Sequence, residues 1–279
     1  MAHKTPRNLV VISDIHAGCR LGLHPPTPMK LDDGGTYPAS EFQAKMWLIW
    51  REFWREWVPT VTRREPWDFV VNGDAIDGVH HHSVTQISHN LEDQIRIAEA
   101  VLRPEVERCR ASGGTYYHIR GTEAHVGKSG IYEEQLAQRL GAKPNQLGQY
   151  ARWDLWKRVG GAGGPLVHLL HHVGTTGSAA HEASAVNAEL TASYVEAARW
   201  RREPPTYVVR SHRHRFIAVD LSAASGYAGA IVTPAWQGRT PFTWKIPGAR
   251  ISEPQVGGII IRRGDEEHFE NRLAPKPYI

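Results

Sequence analysis

Short apolar runs recur along the chain, and segments with helical periodicity separate the first of them. The runs predict strands at Leu9–Ile12, Phe69–Val71, Thr115–Ile119, Leu166–Leu170, Tyr207–Val209, Ala228–Val232 and Gly258–Ile261. The periodic segments predict helices at Glu41–Val58, Leu91–Ala111 and His181–Trp200. Strands that alternate with helices are typical of an α/β domain, in which ligands bind beyond the carboxyl ends of the strands.

The segments between these elements are mostly turns and loops. Cys19–Ala39 is rich in proline and glycine and has no periodicity, which predicts a long functional loop or lid. Gly160–Gly164 predicts a turn that joins a strand within Ala151–Val159 to the strand at Leu166–Leu170. The tail Asn271–Ile279 contains two prolines and predicts an extended surface segment.

Four tryptophans recur at helical spacing in the first predicted helix. They are Trp47, Trp50, Trp54 and Trp57, and Phe53 lies among them. Such a stripe favours a helix that faces the core. A platform for base stacking, or a surface for a partner, is the alternative.

The composition is that of an ordinary globular chain. Charged residues make up 22% and hydrophobic residues 41% of its 279 residues, which excludes disorder, collagen and coiled coil for the bulk of the chain. The net charge of +4 permits phosphate-bearing partners without requiring them. Cys19 and Cys109 are too few for a cysteine-rich zinc site, and we expect free thiols in a cytoplasmic environment. No apolar run approaches about 18 residues, so we expect no membrane segment.

Histidine changes this picture, because 16 residues are histidine and imidazole is the commonest metal ligand. Five predicted strands are each followed by carboxylate or imidazole side chains. These are Asp14 and His16, Asp74 and Asp77, Glu123 and His125, His171 and His172, and His212 and His214. This mixture suits Mn, Fe, Zn, Ni or Co better than Ca or Mg alone. The candidates exceed the ligands of one ion and suffice for two ions that share a carboxylate.

The same residues give the chain its resemblance to the calcineurin-like metallophosphoesterase superfamily. That family carries, in order, D-x-H, G-D-x-x-D, G-N-H-[DE], a lone histidine and G-H-x-H. The matching positions are Asp14/His16, Gly73-Asp74/Asp77, Gly121 to His125, His171 and His212/His214, within about Leu9 to His214. The segments RGTEAHVG, HHVGTTGS and RSHRHR are similar to those of uncharacterised phage and prophage phosphoesterases.

The resemblance implies a fold and a set of roles. The implied fold is a single α/β domain over residues 1–279, a β-sandwich of mixed sheets flanked by helices (αββα), with a core at about 8–262 and a C-terminal extension at 263–279. In the implied site, one ion is held by Asp14, His16 and His214, and the second ion is held by His171 and His212. Asp74 bridges the two ions, and Asp77 orients the ligands. His125 donates a proton or anchors the phosphate.

The third motif departs from the family pattern. Thr122–His125 reads Thr-Glu-Ala-His where the family has Asn-His, so the amide ligand is missing. Glu123 is the expected replacement because it offers an oxygen, and it would favour a harder ion such as Mn or Mg. Thr122 is the alternative. Between His171 and His172 we favour His171 as the ligand, because it comes first after the strand.

Further polar side chains accompany the motifs. Arg120 and Arg213 are predicted to bind the substrate phosphate, as part of a group with Arg210 and Arg215. A solvated basic rim is the alternative for these arginines. His80–His82 predicts an exposed loop, and contact of one of these histidines with the phosphate is the alternative.

Together these features predict a binuclear metal-dependent phosphoesterase. A hydroxide that bridges the two ions would attack phosphorus in phosphomonoesters or phosphodiesters, with nucleotides or nucleic acid as candidate substrates. The expected cofactors are two divalent transition-metal ions, with manganese favoured over iron, zinc, nickel and cobalt. The alternative is a metal-stabilised module that binds nucleic acid or protein with little or no catalysis. The oligomeric state does not follow from the sequence.

Overall fold

The central strands are buried on both faces, which explains why they are continuous apolar runs in the sequence. In β1, Asn8–Ile12, every residue is buried. Leu9 and Val11 contact one apolar cluster, whereas Val10 and Ile12 contact another, because successive side chains of a strand point to opposite faces. A sheet built from such strands needs a packed layer on each side.

The computed structural model describes residues 5–80, 82–174, 181–223, 226–245, 253–264 and 267–274. Its strands are β1 (Asn8–Ile12), β2 (Met29–Lys30), β3 (Thr36–Tyr37), β4 (Trp67–Asn72), β5 (Tyr116–Ile119), β6 (Ala151–Arg152), β7 (Leu155–Arg158), β8 (Leu166–Leu169), β9 (Tyr207–Arg210), β10 (Ile217–Ala223), β11 (Gly226–Val232), β12 (Val256–Arg263) and β13 (Glu267–Ala274). Its helices are α1 (Glu41–Glu52), α2 (Val58–Val61), α3 (Leu91–Ala111), α4 (Glu123–Val126), α5 (Ile131–Arg139) and α6 (Glu182–Arg199). No helix among these residues is long and apolar enough to cross a membrane.

Two mixed sheets form the centre of the fold. Within the described residues, one sheet has six strands in the order β13-β12-β1-β4-β5-β6, and the other has five in the order β10-β11-β9-β8-β7. Strands β1, β4, β5 and β6 run parallel, as do β8, β9 and β11. The turn predicted at Gly160–Gly164 joins the antiparallel strands β7 and β8. The short hairpin of β2 and β3 lies within the predicted loop Cys19–Ala39.

Among the residues that the structure describes, three apolar clusters separate four layers. The first cluster lies between the six-stranded sheet and helices α1, α3 and α5, and it contains Trp50 of α1. The second lies between the two sheets and contains Val11 of β1 and Val209 of β9. The third lies between the five-stranded sheet and α6, and it contains Val208 of β9 and Leu190 of α6. This helix–sheet–sheet–helix order confirms the predicted αββα fold class.

The tryptophan stripe of the first predicted helix faces the core. Trp50 and Trp54 are buried, and Trp47 and Trp57 pack against the same cluster. The ring of Trp50 meets that of Trp236 edge to face, with the centroids 4.7 Å apart. A π-helical turn at residues 53–57 joins α1 to α2 and keeps the stripe against the sheet. These residues therefore stabilise the fold, as the core-facing interpretation expects.

The C-terminal region differs from the prediction. Residues 267–274 form β13, which pairs antiparallel with β12 at the edge of the six-stranded sheet. The sequence predicted a C-terminal extension from residue 263 and an extended surface segment from Asn271. The last five residues of that segment, 275–279, lie outside the described residues. The stretch EHFENRLA is mainly polar, as edge strands often are, so its hydrophobic pattern does not reveal the pairing.

Candidate metal centre

The five predicted motifs meet at one edge of the two sheets. They follow β1, β4 and β5 of the six-stranded sheet and β8 and β9 of the five-stranded sheet. Backbone hydrogen bonds hold the segments together beyond the strand ends. Asp14 N donates to Gly73 O at 3.0 Å, and Ser211 N donates to His171 O at 2.8 Å. This carboxyl edge is where open α/β sheets bind ligands.

A buried chain of hydroxyl and amide groups links the two sheets beside this edge. The amide of Asn72 donates to Ser211 Oγ at 2.6 Å and to Leu170 O at 3.2 Å. Thr233 Oγ1 lies 2.7 Å from Ser211 Oγ and 2.7 Å from Ser13 Oγ. Ser211 stands where the superfamily pattern has glycine, and its hydroxyl is part of this link.

Strained backbone is concentrated in the motifs. The φ angles are 51°, 47°, 52°, 74° and 55° for Asp14, His16, Asp74, His212 and His214. These are five of the ten non-glycine residues with positive φ in the part of the chain that the structure describes. Each such residue costs about 1–3 kcal/mol and persists only where the surroundings impose it. The backbone conformation that orients these five side chains therefore lowers the stability of the fold.

The first cluster consists of Asp14, His16 and His214. The two Nε2 atoms of His16 and His214 lie 3.1 Å apart, and Asp14 Oδ1 lies 3.2 Å from His214 Nε2. Asp14 and His16 are buried, and Asp14 Oδ1 has no hydrogen-bond partner among the described residues. Two imidazole nitrogens and an unsatisfied carboxylate oxygen thus converge, which is an arrangement that a divalent cation satisfies.

The second cluster consists of Asp74, His171 and His212. His171 Nε2 lies 3.0 Å from Asp74 Oδ2, and His212 Nδ1 lies 3.9 Å from the same oxygen. Nδ1 of His171 lies 2.7 Å from the carbonyl oxygen of Asn72, to which it can donate. That hydrogen bond leaves Nε2 for a metal ion. His172 is exposed, with its ring centroid 5.0 Å from that of His171, so the structure brings His171 to the cluster and leaves His172 at its rim.

Asp74 connects the two clusters. Its carboxylate lies near His171 and His212 on one side and near His16 and His125 on the other. In each of these two sets, all the potential ligand atoms lie within 4.8 Å of one another. A carboxylate shared in this way is what a bridge between two ions requires.

The third motif contributes Thr122 rather than Glu123. Thr122 Oγ1 lies 3.0 Å from His212 Nδ1 and 3.3 Å from Asp74 Oδ2. Glu123 is the first residue of α4, its side chain is exposed, and its carboxylate accepts a hydrogen bond from Ser129 N at 3.2 Å. Glu123, the expected metal ligand, thus has its carboxylate outside the second cluster, whereas the hydroxyl of the alternative, Thr122, lies beside His212 and Asp74.

Glycines allow the motif segments to approach one another. A Cβ atom at Gly121 would lie 2.1 Å from Asp74 Oδ1. Gly73 has a φ of +86°, and a Cβ atom there would lie 2.4 Å from His171 Nδ1. Any other residue at either position would displace a side chain of the second cluster.

Asp77 lies behind the first cluster, on the side of His16 that faces away from His214. Its Oδ1 lies 3.2 Å from His16 Nδ1, the ring nitrogen that faces away from His214. Amide groups hold the carboxylate in place: Gln86 Nε2 donates to Oδ2 at 3.0 Å, and Gln237 Nε2 donates to Oδ1 at 3.2 Å. Sequence reasoning missed both glutamines, because neither belongs to a motif or follows a predicted strand directly.

His125 lies between the clusters and the loop that follows Asp77. Its Nδ1 lies 2.6 Å from the carbonyl oxygen of Asp77, and its ring contacts that of His16, with centroids 4.7 Å apart. Burial, more than any other influence, lowers the pKa of His125 to about 4. The ring of His80 packs against that of His125, with centroids 4.1 Å apart, while His82 is exposed and residue 81 lies outside the described residues. One histidine of the predicted exposed loop thus reaches the site.

The electrostatics of the clusters favour positive charge. Burial alone would raise the pKa of Asp14, but His214 lowers it to about 2. Burial would likewise raise the pKa of Asp74, but His171 and His125 hold it well below the usual range. Burial lowers the pKa of His171, yet Asp74 overrides it and raises that pKa to about 10. Asp74 thus holds a proton on the His171 imidazole, and a divalent cation meets the same need of a buried carboxylate, so the residues fit metal ions.

Arg120, predicted to bind the substrate phosphate, has a different role. Its side chain is buried, with Nε donating to Ala151 O at 2.7 Å and Nη1 donating to Ser129 O at 2.7 Å. These bonds fasten the segment after β5 to β6 and to the turn before α5. The guanidinium thus contacts backbone carbonyl oxygens, whereas the prediction expected it to contact a phosphate.

The arginines around the fifth motif contact helix α6. Nη1 of Arg213, a predicted phosphate ligand, donates to Glu182 O at 3.2 Å. Arg215 pairs with the Glu182 carboxylate at 2.9 Å, and the buried Arg210 pairs with Glu189 at 3.1 Å. Together these arginines tether α6 to the segment that carries His212 and His214. Their position in the sequence beside two predicted ligands did not reveal that their side chains point towards α6.

Comparisons with known proteins give distant likenesses of fold. No family model matches the chain, and no curated protein matches it. It is similar to the solution structure of Thermotoga maritima protein TM1076, with 11% identity and a TM-score of 0.40 over 96% of this chain and 99% of that one. It is similar to a metallophosphoesterase from Sphaerobacter thermophilus, with 12% identity and a TM-score of 0.41 over 96% and 89% of the two chains. It is also similar to the Thermus thermophilus sulfate thiohydrolase SoxB, with 11% identity and a TM-score of 0.37 over 96% of this chain and 56% of SoxB.

The chemistry of the site follows from the residues themselves. The five motifs stand in the order of the calcineurin-like metallophosphoesterase superfamily, and the αββα fold brings them to one edge. The narrower likeness to phage phosphoesterases stays a prediction. The resemblance to the superfamily thus extends from the order of the motifs to the fold and to the convergence of their side chains.

Proposed function

We propose that the chain is a metal-dependent phosphoesterase with a two-ion centre that hydrolyses phosphomonoesters or phosphodiesters. The observation that supports this most strongly is the position of Asp74. Its carboxylate lies within reach of His16 on one side and of His171 and His212 on the other. A bridging carboxylate between two imidazole-rich clusters suits two-metal phosphoryl transfer better than a single structural ion.

The donor set suits divalent transition metals. It consists of Asp14, His16, Asp74, His171, His212 and His214. Nitrogen and carboxylate donors are those that Mn, Fe, Zn, Ni and Co accept. When bound, such ions supply Lewis acidity that activates water and offsets charge on a phosphate. The preference for manganese drew on Glu123 as an extra oxygen donor, so with Thr122 in that place we propose the class of ion rather than one member.

His125 is the proposed proton donor to the leaving group. The carbonyl oxygen of Asp77 holds its Nδ1, so Nε2 is the ring nitrogen left for a substrate. The lowered pKa keeps the free ring neutral near pH 7, and an anionic phosphate beside it would favour the protonated form. Proton transfer from a positioned imidazole then assists departure of the alcohol. His80, against the same ring, restricts its orientation.

Nucleotides and nucleic acid are the phosphoesters that we propose to test first. Two arginines close to site residues in the sequence have their guanidinium groups over tryptophan rings. Arg120, which precedes Gly121, lies over Trp153, and Arg239, which follows Gln237 by two residues, lies over Trp244. Both tryptophans are exposed. Exposed indoles beside cations are suitable surfaces for stacking bases.

Hydrolysis of bis(p-nitrophenyl) phosphate tests the proposal. We expect turnover with Mn²⁺ that is abolished by chelator and by His171→Ala. The matched control is His172→Ala, which removes the neighbouring, exposed imidazole and should retain activity. If the metal-loaded wild type hydrolyses no chromogenic monoester, diester or oligonucleotide faster than His125→Ala does, the metal-stabilised binding module becomes the better description.

A further inference from the structure

A buried carboxylate of α5 joins the second motif to the third. The Glu133 side chain is fully buried. Its Oε1 accepts a hydrogen bond from Ala75 N at 2.9 Å, and its Oε2 accepts one from Gly121 N at 2.6 Å. Ala75 follows Asp74, and Gly121 precedes Thr122. One carboxylate therefore holds the backbone on both sides of the second cluster.

A further hydrogen bond closes this arrangement into a ring. Thr122 N donates to Asp74 Oδ1 at 2.7 Å. The ring runs from Glu133 through Ala75 to Asp74, across to Thr122, and back through Gly121. Because every link is either covalent or a short hydrogen bond, the separation of Asp74 from Thr122 depends on the position of the Glu133 carboxylate.

Two buried residues of β5 lie against Glu133. Tyr116 Oη lies 2.6 Å from His118 Nδ1, and His118 Nε2 lies 3.5 Å from Glu133 Oε1. Burial, and after it the charge of Glu133, raises the pKa of Tyr116 well above its usual value. The phenol therefore keeps its proton, and Tyr116 and His118 form a buried hydrogen-bonded pair beside Glu133.

The adjacent Glu134 forms a similar clamp at another place. Its Oε1 accepts from Tyr150 N and its Oε2 from Ala151 N, both at 2.8 Å. These bonds attach α5 to β6, and Oε2 also accepts from Arg120 Nη2 at 3.3 Å, but none of them reaches a residue of either cluster. Neighbouring glutamates on one helix thus make the same kind of bond to different segments, which provides a matched control for the role of Glu133.

We propose that Glu133 is a positioning residue of the metal centre, whose carboxylate sets the spacing of Asp74 and Thr122 and so the geometry of the second cluster. A glutamine at this position would keep the volume but direct its NH₂ group at a backbone N–H that needs an acceptor. The loops of Asp74 and Thr122 would then separate. This role rests on the proposed two-ion centre.

Metal binding by Glu133→Gln and Glu134→Gln tests the role. For Glu133→Gln we expect the weaker of the two Mn²⁺ affinities to fall about 10- to 100-fold in calorimetric titration, the usual effect of losing a group that orients ligands. The visible absorption spectrum of the Co²⁺-loaded protein should change as well. For Glu134→Gln both readouts should match the wild type, even where the thermal stability of the two variants falls alike. Equal affinities and spectra in the two variants would overturn the proposal.

A second variant covers the case in which Glu133→Gln does not fold. Tyr116→Phe removes only the hydroxyl that orients His118, so we expect a folded protein with a smaller loss of the weaker Mn²⁺ affinity and a shifted Co²⁺ spectrum. Wild-type values in Tyr116→Phe, with Glu133→Gln unfolded, would assign Glu133 to folding alone. Wild-type protein that binds no divalent ion would instead contradict the proposed function itself.

Discussion

The two clusters use the same kinds of ligand but differ in how firmly these are held. In the first cluster Asp14 and His16 are buried, the His214 side chain is 21% exposed, and Asp77 lies 3.2 Å from the outer nitrogen of His16. In the second cluster the His212 side chain is 40% exposed. There a threonine hydroxyl lies where the superfamily pattern has an amide.

For the proposed two-ion centre, this difference predicts two sites of unequal affinity. A ligand that is already fixed by burial and by a hydrogen-bonded partner loses little freedom when it binds an ion. His212 is more exposed than its counterpart His214, so the second cluster loses more on binding. We therefore expect the first cluster to bind tightly and the second to exchange its ion more readily.

The largest effect is expected where the clusters share a residue. Asp74→Asn removes a charge from both, so hydrolysis should fall below detection and the metal content should drop from two ions to one or none. Asp77→Asn, which changes the partner of His16 but not a residue of the second cluster, should weaken the first ion by about 10- to 100-fold and spare the second. Elemental analysis measures both outcomes. Two ions per chain in Asp74→Asn would show that the carboxylate does not bridge.

A smaller effect is expected from His125, which lies beside the clusters without completing either one. His125→Ala should retain both ions and slow turnover by about 10²- to 10⁴-fold, the usual contribution of a positioned proton donor. Steady-state rates and metal content together provide the measurement. A variant that loses an ion would place His125 among the ligands instead.

The inequality of the clusters can be changed at Thr122. Thr122→Ala should weaken the second ion by about tenfold and leave the first unchanged. Thr122→Ser keeps the hydroxyl and is the matched control, whereas Thr122→Asn supplies the amide of the superfamily pattern and should bring the two affinities closer. Stepwise Mn²⁺ titration measures the two constants. The same weakening in Thr122→Ser and Thr122→Ala would mean that the hydroxyl plays no part.

The smallest effect concerns a buried carboxylate that lacks imidazole partners. Burial raises the pKa of Glu105 in α3 from its ordinary 4.5 to about 7, with Arg108 and Arg55 opposing. Below pH 4.5 the carboxyl is protonated whether the chain is folded or unfolded. Between pH 4.5 and 7 only the unfolded chain gives up the proton, so stability falls as the pH rises, by about 3 kcal/mol once the folded form ionises.

Glu105→Gln removes this dependence. We expect its free energy of unfolding in urea to exceed that of the wild type by about 2–3 kcal/mol at pH 8 and by much less at pH 5. Glu107→Gln, at an exposed position of the same helix, is the control and should show no such gain. A gain that is the same at both pH values would contradict the assigned titration. Asp14 is also buried, but the neighbouring imidazole of His214 lowers its pKa, whereas the pKa of Glu105 is raised.

The sequence located the parts of the site that are local to a strand end. Asp14, His16 and Asp74 follow buried apolar runs, and the geometry of parallel strands dictates that such positions meet at one edge. The αββα fold class followed from the resemblance and from the alternation of strands and helices. Hydrophobic periodicity also identified the strands at the centre of both sheets, since burial on both faces leaves an unbroken apolar run.

The remaining contacts depend on where distant segments pack. Glu133, Gln86 and Gln237 support the clusters from a helix and two loops whose sequences carry no motif. Arg120 was predicted to face the phosphate because it precedes a ligand segment, but its guanidinium donates to Ala151 O of β6 and to Ser129 O of the turn before α5. The choice between Glu123 and Thr122 depended on the residue at which α4 begins, and helix boundaries are poorly determined by sequence.

Anomalous scattering from crystals of the Mn²⁺-loaded protein tests the two-ion centre most directly. We predict two peaks, a full one ringed by Asp14, His16 and His214 and a weaker one ringed by Asp74, His171 and His212, with the Asp74 carboxylate between them. A single peak, or a second peak coordinated by Glu123 rather than lying beside Thr122, would contradict this arrangement.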